Sequence, residues 1–152
     1  SWRVDRVFTP AVMTAIEQAV RASEARHRGE IRFAVEGGLD FPLLRHDVDT
    51  RQRAVEVFSQ LRVWDTEENT GVLIYVQWVD RRVEIVADRG IARRVPQAAW
   101  EAVCRQLEAA FREGRYGPGA VAAVIAVGDL LAGPFPAGPG NPDELPDRPV
   151  RL

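Results

Sequence analysis

Apolar and polar positions change their period along the chain, and each change marks an element. Residues 1–8 mix the two without a clear period and read as a packed lead-in. Thr9-Pro10 opens a helix, because a threonine can cap it and a proline suits its first turn. Val12, Ile16, Ala19, Val20 and Ser23 follow at helical spacing, with Glu17, Arg21, Glu24 and Arg28 on other faces, until Gly29 stops the helix. In residues 30–36, Ile31, Phe33 and Val35 alternate with Arg32 and Ala34, which predicts a strand with one well-buried face. Gly37-Gly38 ends it. Residues 39–48 place Pro42 and His46 in a loop, and Asp47, Asp49 or Thr50 can cap the next helix. In that helix Ala54, Val55, Phe58 and Leu61 face a core, and Val63 and Trp64 close it.

Residues 71–79 are almost continuously apolar, the pattern of a strand covered on both faces. A helix separates this strand from 31–36, so the two are parallel and joined by a right-handed crossover. Asp80-Arg81 makes a tight hairpin turn into an antiparallel strand at 82–87, and the sheet is therefore mixed. Val95-Pro96 opens a helix with the stripe Trp100, Val103, Cys104, Leu107, Ala110 and Phe111, ended by Gly114. A last helix at 118–132 is apolar almost all round and should be largely buried. After Gly133 the composition turns to proline and glycine. The chain thus reads as a single domain over 1–133 and a tail over 134–152 that is disordered or an extended wrap.

Composition narrows the function classes. A chain of 152 residues can bury a sizeable core. A net charge of −2 offers no electrostatic case for nucleic acid. All twenty basic residues are arginine, scattered rather than clustered. The single cysteine, Cys104, excludes an intrachain disulfide and a cysteine-rich zinc site; on its apolar stripe it reads as a small buried hydrophobe. No apolar run is long enough to span a membrane and no signal peptide is visible, although a chain starting at Ser1 without methionine is consistent with a removed leader or anchor.

The densest polar stretch is 65–70, just before the apolar strand. Asp65, Glu67 and Asn69 present oxygens at alternate positions, like the first half of a calcium loop. The glycine comes one place late and the twelfth position is Val76, so an EF-hand is excluded. A different calcium or magnesium site forms from Asp65, Glu67, Asn69 and Asp88 if the hairpin brings loop and Asp88 together. The alternative is a solvated loop in which Asn69 and Gly71 supply turn chemistry. His27, at a helix C-terminus, suits a cation in the helix dipole. His46, beside Asp47 and Asp49, reads as a loop histidine next to a capping aspartate, with a metal or acid–base role as the alternative. Trp64, Trp78 and Trp100 are spaced like core residues.

The series in order carries a family signal. A strand is followed by a helix closing on Phe58 and Trp64, then Asn69-Thr-Gly-Val-Leu-Ile, then Asp80-Arg-Arg-Val-Glu-Ile-Val-Ala-Asp-Arg-Gly-Ile91. A helix ending Phe111-Arg-Glu-Gly-Arg-Tyr116 and a final small-residue helix complete it. Over residues 11–132 this resembles the TPM domain family of bacterial envelope-associated, thylakoid-lumen and receptor-modulating proteins. The resemblance implies a three-layer α/β/α sandwich with a Rossmann-like mixed sheet and one hairpin. It implies a protein-interaction module of the bacterial envelope, membrane-associated or periplasmic with a cytoplasmic alternative, partnered with other envelope proteins. The alternative activity it implies is that of a divalent-metal-dependent acid phosphatase. Asn69 matches the family's loop. Asp88 stands where the family has glycine, and 93–97 lacks the family's aspartate.

Overall fold

Four strands build one mixed sheet in the computed structural model, which describes residues 2–37, 49–140 and 142–152. They are β1 (Glu30–Glu36), β2 (Gly71–Gln77), β3 (Arg82–Ala87) and β4 (Val150–Arg151), in the spatial order β3-β2-β1-β4. The β1–β2 pair is parallel, with Glu30 opposite Gly71 and Glu36 opposite Gln77. The β2–β3 pair is antiparallel, and β4 lies parallel to the outer edge of β1. The helices are α1 (Trp2–Val7), α2 (Pro10–Glu24), α3 (Thr50–Gln60), α4 (Arg89–Ala92), α5 (Gln97–Arg112) and α6 (Tyr116–Ala132).

Helices cover both faces of the sheet, giving the α/β sandwich. On one face Ile31, Phe33, Val35, Val72, Ile74, Val76 and Ile85 pack under α1, α2, α5 and α6. Phe8, Trp78, Phe111 and Tyr116 meet there in edge-to-face or tilted ring contacts. On the other face Ala34, Leu73, Tyr75 and Val86 pack under α3 and, from the far end of the chain, Leu145. Every residue of β1 is therefore buried, not one face only, because α3 and the tail cover the side that the alternating pattern assigned to solvent.

The local chemistry follows the sequence. Thr9 Oγ1 accepts the Val12 amide and Pro10 occupies the first turn of α2. Asp49 caps α3 by accepting the Arg51 amide. His46 and Asp47 lie outside the described residues.

Other readings change. The hairpin strands stop at Gln77 and restart at Arg82, so Trp78–Arg81 form the connection, with Arg81 in the left-handed region at φ 55. In α3 the buried stripe is Ala54, Val57 and Phe58, and Val55, one residue off it, faces out. Trp78 and Trp100 are core residues, but Trp64 is 47% exposed beneath the Arg62 guanidinium. His27 is fully buried, not a surface cation. Its Nδ1 accepts the Gly29 amide and its Nε2 bonds Ser23 Oγ, and burial pushes it down to about 4, so it is neutral. No helix among the described residues is long and apolar enough to cross a membrane.

Candidate functional site

The two ends of β1 are chemically different. At its C-terminal end Glu36 receives a bidentate pair of hydrogen bonds from Arg53 (2.8 and 2.7 Å) and one from Tyr75 Oη (2.6 Å). Burial alone would raise the Glu36 carboxyl; the Arg53 and Tyr75 bonds outweigh it and hold the group below the usual range. This carboxylate is saturated and pins α3 to the sheet.

At its N-terminal end, and along its outer edge, β1 meets the tail. Successive groups of β1 bind the tail's main chain. Glu30 Oε1 accepts the amides of Glu144 and Leu145 (2.7 and 2.8 Å). Arg32 Nη1 donates to the carbonyls of Pro146 and Arg148, both at 2.9 Å. Ala34 and Val35 then pair with Val150 and Arg151, and Leu152 donates its amide to the Val35 carbonyl. Between these anchors the Leu145 side chain enters the core with Ala34, Ala54, Val57 and Phe58. The tail is bound as an extended peptide, by main chain plus one apolar side-chain pocket.

An acidic pocket of about 220 Å³ opens where this track begins. Glu24, the last residue of α2, and Glu30 are buried beside Asp143 and Asp147 from the tail. Carboxylate oxygens of Glu24, Glu30 and Asp143 lie within 4.8 Å of one another. Burial, a hydrogen bond with Asp147 and the charge of Glu30 push the Glu24 carboxyl up to about 10. Burial pushes Glu30 up to about 7, against the pull of the two tail amides. Asp143 is raised by partial burial and by Asp147.

The polar 65–70 loop sits at the same end of the sheet, since Gly71 pairs with Glu30. The backbone does bring the 65–70 loop against the end of β3: Gly71 O accepts the Asp88 amide at 2.9 Å, and Asn69 O accepts the Gly90 amide at 3.0 Å. Gly90 is required there, since a Cβ would lie 2.5 Å from the Glu68 carbonyl oxygen. The side chains diverge in role. Asp65 is exposed and pairs with Arg62 at 3.0 Å. Glu67 is exposed, and its amide donates to Glu144 Oε2. Asn69 turns the chain at φ 56. Asp88 is buried and caps α4 through Oδ1, while its Oδ2 has no hydrogen-bond partner. Among the described residues, the carboxylates that converge within 4.8 Å are Glu24, Glu30 and Asp143. Their only local trace is Glu24 and Glu30 flanking one helix-to-strand turn; Asp143 and Asp147 are more than a hundred residues away.

Comparison with known proteins agrees with this architecture. The sequence pattern of the TPM domain matches residues 4–130. The NMR structure of BA42 protein from the psychrophilic bacterium Bizionia argentinensis is 30% identical, with a TM-score of 0.80, covering 95% of this chain and 94% of that one. The N-terminal domain of a protein from P. gingivalis shares the fold at 20% identity and a TM-score of 0.69, covering 85% of this chain and 79% of that one. The N-terminal domain of a Corynebacterium glutamicum protein does so at 14% and 0.61, covering 87% and 78%. No curated protein matches.

Proposed function

The chain belongs to the TPM domain family, and on that premise we propose that it is a protein-interaction module that captures an extended segment along the outer edge of β1. One observation carries the reading: Glu30 and Arg32 hydrogen-bond to the main chain of residues 144–148. Main-chain recognition of this kind accepts many sequences, and the Leu145 pocket adds a preference for one aliphatic anchor. The tail then acts as the resident ligand, held at a high effective concentration, and a partner's strand competes with it. An envelope protein offering an extended Leu-Pro segment like residues 145–146 has the matching chemistry.

A fluorescent peptide with the sequence of residues 142–152, titrated into the full chain, tests this. Wild type should bind it weakly, because its own tail occupies the track. Leu145→Ala loosens that tail, and the peptide should bind this variant at least about tenfold more tightly. No binding to Leu145→Ala at millimolar peptide overturns the proposal.

A further inference from the structure

We propose that residues 143–147 are latched to the body by two shared protons, one between Glu24 and Asp147 and one between Glu30 and Asp143, so that the tail docks on β1 in acid and loosens as pH rises. The latch regulates the track on β1. It rests on the strand-capture reading only for its consequence, an edge that opens to a partner.

Acid meets acid across the junction of tail and body. Glu24 ends α2 and Glu30 starts β1, whereas Asp143 and Asp147 belong to the tail. Glu24 is hydrogen-bonded to Asp147, and Glu30 to Asp143; the two aspartates also meet each other. An ionised carboxylate only accepts, so a hydrogen bond between two acids needs a proton. The backbone shows which side carries it. Glu24 Oε2 accepts the Ile31 amide at 2.7 Å, and Glu30 Oε1 accepts two tail amides. The other oxygen of each glutamate is left to hold a proton and donate to an aspartate. On the receiving side, Asp147 Oδ1 is buried, and no N–H or hydroxyl among the described residues donates to it. A protonated Glu24 supplies that donor.

The charges around the cluster do not replace those protons. Arg21, from α2, lies 3.5 Å from Asp147 Oδ2 and is shared with Glu17. Arg32, from β1, acts on Asp147 and Glu24 by charge, while its Nη1 is engaged by two tail carbonyls. These cations offset two of the four acids, and protons on Glu24 and Glu30 neutralise the other two. Arg148 pairs with Glu17 at 3.3 Å, and Glu144 adds like charge beside Glu30. His27 is neutral, and Asp129 of α6 and Glu68 of the 65–70 loop pair with Arg26 and Arg28. The raised values of Glu24, about 10, and Glu30, about 7, agree with this count. Burial is the largest cause of both. The tail adds Asp147 on Glu24 and the charges of Asp143 and Glu144 on Glu30, against the pull of its two amides. Protons therefore favour the docked tail over the free one, and the docking they support is lost as pH climbs through about 7.

Hydrogen exchange of the full chain, in chelator at pH 5.5 and pH 8.5, tests the latch, with each protection factor taken against the intrinsic rate at that pH. Protection of the Leu145 and Leu152 amides should fall at least about tenfold between the two, while that of Ile74 in β2 holds. Asp143→Asn/Asp147→Asn supplies the donors as amide groups, and its fall should shrink to about twofold or less. Glu30→Gln, which keeps an acceptor for both tail amides, should shrink it in part. Tail protection that stays within about twofold in wild type overturns the latch. So does a full wild-type fall in Asp143→Asn/Asp147→Asn, or an equal fall at Ile74, which places the titration in the whole fold. Strand capture fails separately. A working latch with no peptide bound by Leu145→Ala overturns that reading alone, and peptide binding without the fall overturns the latch alone.

Discussion

The two edges of the sheet are closed by different means. On β3 the outward amide of Val83 is capped by Glu108 and the outward carbonyl of Ile85 by Arg51. Both caps are side chains from helices that belong to the core, so this edge opens only if α3 or α5 leaves. On β1 the outward positions meet the tail, whose ladder is two residue pairs long. Exposed edges invite pairing with other chains. The first edge is held by side chains of the core, while the second is closed by a short main-chain ladder from the tail. The contrast is why β1, and not β3, is the edge proposed for strand capture.

Several substitutions break or sharpen the contrast, and the largest effect belongs to the helix side. Arg53→Met strands the buried Glu36 carboxylate and should cost about 3–5 kcal/mol in global unfolding, read from denaturant midpoints. A comparable effect comes from pH. His27 has a folded value of about 4, below its ordinary 6.5. Its stabilising contribution is therefore present above pH 6.5 and is lost as pH falls toward 4, by about 3 kcal/mol. Glu24 and Glu30 have the opposite sign. Their raised values stabilise below pH 4.5, and that contribution is lost as pH climbs through about 7 for Glu30 and on toward about 10 for Glu24. In chelator, stability should peak on the acid side of neutrality, and His27→Gln should flatten only the acid limb of the profile.

Smaller effects separate the two edges directly. Glu108→Ala leaves the buried Val83 amide without its acceptor and should cost about 1–3 kcal/mol, again in global stability. Leu145→Ala should instead speed hydrogen exchange at the Leu145 and Leu152 amides while the β2 and β3 amides keep their protection. Equal loss of protection across all strands would show that the tail is part of the global unit and would erase the contrast.

The strands, the crossover and the hairpin were legible because their signals are local: alternation in 31–35, an apolar run at 72–76, breaks at Gly29 and Gly71. The family could be read from the same series. The buried polar groups were not legible. Glu30 and Arg32 alternate with apolar residues and read as solvent-facing, yet their partners lie more than a hundred residues on. His27 looked like a helix-end cation because nothing near it in sequence shows that α6 covers it. The acidic pocket needed the tail's path, and a proline-rich segment of that composition carries no period from which to draw one. The acids of the 65–70 loop are neighbours in sequence, whereas Asp143 joins Glu24 and Glu30 only in space.

The turn joining α2 to β1 has a further consequence. At Gly128 a Cβ would lie 2.1 Å from Ser23 Oγ, so α6 presses its backbone against α2 where Ser23 holds His27, and His27 in turn holds Gly29. The spacing between Glu24 and Glu30 is therefore set by this wedge and not by the tail. Two of the pocket's acids thus stand on a frame built by α2, α6 and β1, and the tail adds Asp143 and Asp147 to a wall already in place. A change in the tail should therefore alter what faces Glu24 and Glu30 without altering the distance between them.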